Sequence, residues 1–506
     1  MDLAALYAAH APPTLGPHYD AIVIGSGPGG SAVAHRLAHA GRKVLVVERG
    51  ELFAPTTPAA PGVVGHYLYD LIAMGESPAR FVGGQSKFFG AAMYRMRASD
   101  FLATQHEAGI SPAWPFDYAA LEPYYCAAER LYRVHGDPAG DPTEPPRSQP
   151  LPFGPLPHSA VVAPCVQRLQ AAGHVVSAIP RGVDYGPQGR CTLCSTCDAY
   201  ACSLDAKMDA ESATLRPALL TGNVELALQS ECLRIVTDAS GSRAIGAMIR
   251  RHGTNQLIEA GRIVVAAGLP GSMQLLWQSR TARHPAGLGN AHGNLGRYLG
   301  GHWTGMIFPL LSWRAQPANH TKTFSINNHY DGMPDWPWPL GVIQVAGQMP
   351  YWRFSSRLMR LPARLLAQRS LLCFYMIEAV PGADSGHVVT AEGIAAKTEP
   401  RLSKRTFDSA RQRAAATFRS AGYRVIARNN PPTLWHQVGT ARMGEDPRTS
   451  VCNADCAVHD IPNLHVVDAS VLPSAGAVNT CLTIVAVALK AADAMLTPRP
   501  QKPGPR

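Results

Sequence analysis

Asp20-Ala21-Ile22-Val23-Ile24-Gly25-Ser26-Gly27-Pro28-Gly29-Gly30 runs on through SAVAHRLAHAG to Gly41, and then through Lys43-Val44-Leu45-Val46-Val47 to Glu48. The reading of the fold turns on this stretch. Two short apolar runs flank a glycine turn and a segment whose apolar residues Val33, Leu37 and Ala40 recur at helical spacing, which predicts strand, turn, helix and strand in about 30 residues. Such a unit places its two strands parallel in one sheet. Gly25, Gly27 and Gly30 fit G-x-G-x-x-G: the first permits the tight turn, the second lets backbone approach a pyrophosphate, and the third lets helix and strand pack closely. Pro28 and Gly29 open the helix, whose free N–H groups and dipole favour a phosphate. Glu48 follows Gly25 by 23 residues, at the end of the second strand, where a carboxylate can accept hydrogen bonds from a ribose. The unit therefore predicts dinucleotide binding, without distinguishing a nicotinamide from a flavin.

The chain around it has 506 residues, more than one core comfortably fills, and is 46% hydrophobic and 16% charged. That composition excludes wholesale disorder. The formal charge of +10 is dispersed, with no run of five or six like charges, so nucleic acid is excluded as a partner. No signal peptide is read in Met1–Gly16, and the apolar run Cys481–Leu489 is far short of a membrane span. Eleven cysteines scattered through a large chain are unlike a disulfide scaffold, so a reducing, cytoplasmic location is expected, with export alongside a partner subunit left open.

Eight prolines between Pro138 and Pro157 predict an extended surface loop. Arg262–Gly268 reads as a buried strand with a helix behind it, and Phe407–Ala421 as an amphipathic helix. Apolar runs at Trp336–Met349 and Leu371–Val380 predict a second sheet. A substrate-facing domain is placed there, interrupting a nucleotide-binding domain that resumes near Trp435.

Four blocks carry a family resemblance. With the glycine turn, these are Val82-Gly83-Gly84-Gln85-Ser86-Lys87-Phe88-Phe89-Gly90-Ala91-Ala92, Trp435-His436-Gln437-Val438-Gly439-Thr440-Ala441-Arg442-Met443-Gly444, and Asn463–Pro473 followed by Val478-Asn479-Thr480. In this order the chain resembles the glucose–methanol–choline (GMC) oxidoreductases. The resemblance implies an α/β fold: a Rossmann-like FAD-binding domain from residues 18–110, 185–300 and 432–498. An α+β substrate domain on an antiparallel sheet, from 111–184 and 301–431, is inserted in it. It implies FAD as cofactor and oxidation of a CH–OH group of a sugar, polyol or other small alcohol to a carbonyl, with hydride passing to flavin N5 and His436 as general base. Oxygen or an electron carrier takes the electrons onward. The alternatives are a flavin-containing, hydroxynitrile-lyase-like member of the same family, or a dehydrogenase passing electrons through an iron–sulfur cluster at Cys191–Cys202.

By the same resemblance Asn479 donates a hydrogen bond to the substrate oxygen, and His302 contacts substrate. Gly83, Gly84, Ser86, Gly90 and Ala91 lie along the flavin, Ala267 near its adenine side, and Asp468-Ala469 on the ribityl-pyrophosphate side. Asn479-Thr480 opens a helix aimed at the flavin pyrimidine, and Asn479 is a plausible N-cap for it. Some relatives attach FAD through a histidine in the loop that here carries Phe88 and Phe89, so non-covalent FAD is expected.

Cys191, Cys194, Cys197 and Cys202 depart from this frame. Their x2, x2, x4 spacing resembles an iron–sulfur ligand run, although ferredoxins have x3 and a following proline. Zinc, or thiols and a disulfide that order the loop, are the other readings. Glu211 just beyond is placed in a strand-like return to the sheet. Arg357, Arg360, Arg364 and Arg369 alternate with leucines in a stretch kinked at Pro362, read as a solvated helix, a lid, or a dock for a membrane or an electron-transfer partner.

Overall fold

A computed structural model describes residues 3–53, 66–67, 80–312, 314–315, 321–347, 356–427 and 431–497. Strand His18–Ile24 lies between Val44–Val47 and Thr254–Val265, parallel to both, and Val224–Ala227 extends the sheet beyond Val44–Val47. Val44–Val47 is buried on both faces, as its unbroken VLVV requires of a central parallel strand. The 12-residue strand Thr254–Val265 changes partner along its length. Its polar first half pairs antiparallel with Ala244–Arg251, and its apolar Ile263–Val265 pairs parallel with Ile461–Val466. The chain thus returns some 200 residues later to complete the nucleotide sheet.

Helix Pro28–His39 buries Gly29, Gly30, Ser31, Ala32, Val33 and Ala34. These small side chains let helix Cys481–Leu496 pack on it, and Tyr118–Leu131 covers the latter from the other side. The apolar run at Cys481 is explained by these two neighbours. Among the described residues no helix is long and apolar enough to cross a membrane.

The second sheet runs Arg424–Ile426, Gly300–Leu310, Cys373–Ala379, Val342–Val345, Phe324–Ile326, Ser177–Ala178, with Thr433–Val438 also on Gly300–Leu310. It is antiparallel at every pairing, so residues directly opposite share a face. His302, Thr304 and Met306 stand opposite Glu378, Met376 and Phe374, and Gln344 stands opposite Phe374. The intervening residues point the other way. There helix Lys404–Ser420 covers the sheet, with the Tyr375 and Phe407 rings 5.1 Å apart.

Several elements differ from the sequence expectation. The run from Trp336 shortens to Val342–Val345, because Pro337 and Pro339 cannot donate to a ladder, while its end at 348–349 lies outside the described residues. Glu211 is not strand-like: Glu211–Leu215 is a π-helical turn leading into helix Arg216–Leu219, held where Glu211 pairs with Lys87 and Arg216. The basic stretch forms helix Arg357–Ala367, with Leu358, Met359, Leu361 and Leu365 exposed.

Candidate active site

The glycine turn is held by contacts that only hydrogen side chains permit. A Cβ on Gly25 would lie 2.3 Å from the Ala266 carbonyl oxygen, on Gly29 1.9 Å from that of Val467, and on Gly30 2.1 Å from that of Gly25. Gly27 alone would meet no protein atom within 4 Å. Its outward face is open, as backbone facing a pyrophosphate must be. The residues present therefore fit a dinucleotide. Glu48, at the end of Val44–Val47, accepts from Ser26 N (3.0 Å), Ser26 Oγ (2.6 Å) and Gly50 N (2.8 Å), which fixes its carboxylate at the turn.

The Gly83–Ala92 loop docks on this turn. Gly83 N donates to Ser26 Oγ at 3.0 Å, and a Cβ on Gly84 would lie 3.4 Å from Gly27 Cα. Ser86 Oγ donates to Gly83 O (2.6 Å) and accepts from Ala210 N (3.0 Å), pinning the loop. Gly90 leaves room for Asp198, whose Oδ1 would lie 2.0 Å from a Cβ there, and Ala91 has φ 56°. Phe88 packs with Phe53 and Phe81. Asp468 binds Gly268 N, Ser272 Oγ, Ser470 N and Ser470 Oγ, stitching the ends of two strands together beside exposed Ala267. Ala469 follows in the 3-10 turn Ala469–Val471.

His436 reaches the site through a bulge. Gly300 pairs with Val438 but His302 with Trp435, so one extra residue is inserted, and His436 takes φ 48°. Gly301 makes room for it: a Cβ there would lie 2.6 Å from Trp435 O. The side chain swings toward His302, Nδ1 to Nδ1 at 2.9 Å. His302 Nε2 lies 3.0 Å from Gly476 O, His436 Nε2 lies 3.3 Å from Asn479 Nδ2, and Asn479 Oδ1 lies 3.0 Å from Gln344 Nε2.

Only one proton arrangement satisfies this row. Gly476 O can only accept, so His302 carries its proton on Nε2 and presents a lone pair at Nδ1. His436 must then donate from Nδ1, which leaves the lone pair of its Nε2 turned toward Asn479 Nδ2. Both rings are neutral: burial pushes His302 down to about 4 and His436 down to about 3, the latter helped by His302 and Lys322. Glu378 Oε1 accepts from Ala475 N (3.1 Å) and Gly476 N (3.2 Å), fixing the loop that anchors the row.

The structure brings His436, Asn479 and His302 together. Asn479 does not cap the final helix: Thr480 is the N-cap residue, neither side chain caps it, and Asn479 is turned to His436 and Gln344 instead. Gln344, Glu378 and Lys322 were missed by sequence reasoning. The available signal was a lone polar residue inside a buried strand, as in VIQV and CFYMIEA. Among the described residues no three His, Cys, Asp or Glu side chains form a metal-binding group, and all eleven cysteines are free thiols. Arg181 Nη2 lies 3.1 Å from Cys197 Sγ, so a cation occupies the place beside that sulfur. The cysteine loop instead docks by Asp198, which pairs with Lys322 (2.8 Å) and accepts from Gly347 N (3.1 Å), and by Lys207, which donates to Phe89 O (2.8 Å).

A parallel sheet with a dinucleotide-type glycine turn is thus joined to an antiparallel sheet that carries the row of His302, His436, Asn479 and Gln344, the architecture of a two-domain nucleotide-dependent oxidoreductase. Residues 25–304 and 383–488 match the sequence profiles of the GMC oxidoreductase family, and the chain belongs to that family, whose members act on CH–OH donors. It is 29% identical to paromamine 6'-oxidase of Streptomyces fradiae, over 94% of this chain and 91% of that protein. It is 26% identical to 2-methyl-1,2-propanediol dehydrogenase of Mycolicibacterium austroafricanum, over 94% of each. Pyridoxine 4-oxidase from Mesorbium loti shares the fold with a TM-score of 0.63 at 18% identity, over 94% of this chain and 99% of that one.

Proposed function

We propose that the chain oxidises a CH–OH group of a hydroxyl-rich small molecule to a carbonyl, with His436 Nε2 taking the hydroxyl proton. The observation that carries this is the proton row from Gly476 O through His302 to His436, which leaves the basic lone pair on His436 Nε2, beside the Asn479 amide. Asn479 Nδ2, beside that nitrogen, donates to the same substrate oxygen and stabilises the charge that develops there. Because burial holds His436 neutral, it is ready to accept a proton at pH 7 without first losing one.

FAD, when bound, supplies the hydride acceptor. Gly25, Gly27, Pro28, Gly29 and Gly30 would hold its pyrophosphate and Glu48 its ribose. Gly83, Gly84, Ser86, Gly90 and Ala91 would flank the ring system, and Ala267, Ala469 and Thr480 the remaining edges, with Asp468 positioning that wall. No histidine or cysteine occurs in residues 80–92, which supports dissociable FAD. The names of the relatives, an amino-sugar oxidase and a diol dehydrogenase, support polyols or amino sugars as substrate.

An anaerobic screen of alcohols, diols and amino sugars should find one that bleaches the flavin. His436→Ala should slow that bleaching by at least ~10²-fold. A flavin that no member of the screen reduces, or an unchanged rate in His436→Ala, would sink the proposal. Admitting oxygen afterwards distinguishes an oxidase from an enzyme that needs another acceptor.

A further inference from the structure

We infer that Gln344 is a substrate-binding residue whose Oε1 accepts a hydrogen bond from a second donor on the substrate, a hydroxyl or amine on the carbon next to the reacting carbinol. The inference deepens the proposed function, since it takes the substrate oxygen to lie at His436 and Asn479. Gln344 is completely buried on the site-facing side of the second sheet, opposite Phe374. Its amide cannot be turned over: the proton row requires Asn479 Nδ2 to face His436, so Asn479 Oδ1 accepts and Gln344 Nε2 must be the donor at 3.0 Å. Oε1 is then committed to the remaining direction, where it has no partner among the described residues.

A buried acceptor left unpaired is costly, and the protein retains one beside its base. The surroundings define what fills it. Ala346, Leu372, Phe374, Met306 and Phe308 form an apolar cluster on this face whose side chains carry no donor, and Trp435, packed on them, carries one, its indole Nε1–H. Thr304 Oγ1, two residues along the strand from His302, is likewise buried without a partner. The row thus presents one proton-accepting nitrogen and one amide donor at the carbinol site, then, one amide further on, an acceptor. A 1,2-diol or a vicinal amino alcohol matches that order; a simple alcohol leaves the acceptor bare.

Tertiary alcohols have no carbinol C–H, so they bind without reacting, and binding can be read independently of His436 chemistry. The probes are 2,3-dimethyl-2,3-butanediol and 2,3-dimethyl-2-butanol, with affinities taken from calorimetric titration of the FAD-loaded protein. The wild type should favour the diol by roughly ten- to a hundredfold, the range for a site built to pair a hydroxyl that the analogue lacks, discounted for partial relaxation. Gln344→Met should bind the two about equally and keep its FAD. The oxidisable pair 2-methyl-1,2-propanediol and 2-methyl-1-propanol should show the same loss of discrimination in kcat/KM.

Equal binding of both probes by the wild type, a comparison that needs no variant, overturns the inference. So does discrimination that survives in Gln344→Met, discrimination abolished by Thr304→Val alone, or loss of FAD affinity as the principal effect of Gln344→Met, which would make the flavin the donor. A diol preference that depends on Gln344 while His436→Ala leaves flavin reduction unchanged would separate the two readings: the binding site stands and the assignment of the base falls.

Discussion

Replacing His302 by leucine should disable His436 without touching it. In the wild type His302 Nδ1 accepts the His436 Nδ1 proton at 2.9 Å, and that bond holds the lone pair on the catalytic nitrogen. Leucine fills similar space but accepts nothing, so the catalytic tautomer would carry a buried unpaired N–H, at a cost of about 1–3 kcal/mol. At about 1.36 kcal/mol per tenfold, this shifts the tautomer ratio against the base by roughly 5- to 150-fold. Anaerobic stopped-flow flavin reduction at saturating alcohol should fall by up to that factor, which reaches only the low end of the ~10²–10⁴-fold expected for removing a general base outright. His302→Gln offers an amide oxygen to the same proton and should recover most of the rate, whereas a merely packing role would make glutamine, the polar substitute, worse than leucine. A leucine variant within twofold of wild type, or a glutamine variant as slow as leucine, would refute the proton row. Thermal unfolding of both variants separates this effect from general destabilisation.

Gly27→Ala should fold with little change in melting temperature yet lose FAD affinity by at least ~10-fold, because its methyl meets no protein atom and points into open space; Gly29→Ala, 1.9 Å from a carbonyl, should fail to fold as a stable flavoprotein. With His436 pushed down to about 3, the acid limb of kcat/KM should lie far below the ordinary histidine value of about 6.5, giving a plateau from about pH 5 to 8; a limb near 6.5 would refute a neutral buried base. Stability should show the same depression: above about 6.5 both histidines are neutral in either state and their contribution is fully present, whereas below it the unfolded chain binds protons that the folded rings refuse. Urea unfolding should therefore lose up to about 1.4 kcal/mol per pH unit for each of His302 and His436 as pH falls from about 6.5 toward their folded values of about 4 and 3, and a pH-independent midpoint would contradict this. Lys322→Met should leave Asp198 without its cation and cost about 3–5 kcal/mol at most, less to the extent that Asp198 is solvated, while the double variant Lys322→Met with Asp198→Asn should recover part of it; a double variant worse than the single would argue against a coupled pair.

What the sequence made legible follows from where each signal resides. The nucleotide turn is local: four glycines, a strand on either side and Glu48 lie within one βαβ unit, and the three glycines that clash most closely are those that a close approach between backbones demands. His436 was legible only through the motif around it. The second sheet was legible in outline, from apolar runs, but its faces were not, because facing depends on register, and register here joins strands far apart in the chain. His302 and His436 are 134 residues apart, and Gln344 and Asn479 are 135 apart. Asn479 looked like a cap because the residue before a helix usually is one; its amide is drawn away by two partners that no local pattern contains. The spacing of the cysteines is likewise silent about Arg181, which arrives from strand Arg181–Gly182 to sit against Cys197.

The catalytic row also explains why the backbone is strained where it is. With Trp435 opposite His302, an unbulged strand would put the next residue, His436, on the other face, because neighbouring side chains alternate. The inserted residue and the left-handed φ of 48° bring His436 back to the site-facing side, and Gly301 across the ladder yields the space its carbonyls need. A histidine in that conformation costs of order 1–3 kcal/mol and persists only where the surroundings over-determine it. Here they do. Nδ1 is tied to His302, Nε2 faces Asn479, and His302 is itself tied to a loop that Glu378 holds by two backbone N–H groups. On the proposed reading the strain positions a base whose tautomer is set from behind, and the same row, followed forward through Asn479, ends at Gln344. The orientation of one backbone carbonyl, Gly476 O, therefore propagates through four side chains to set both the free nitrogen of His436, the base in the proposed function, and the outward atom of the Gln344 amide, the acceptor in the further inference.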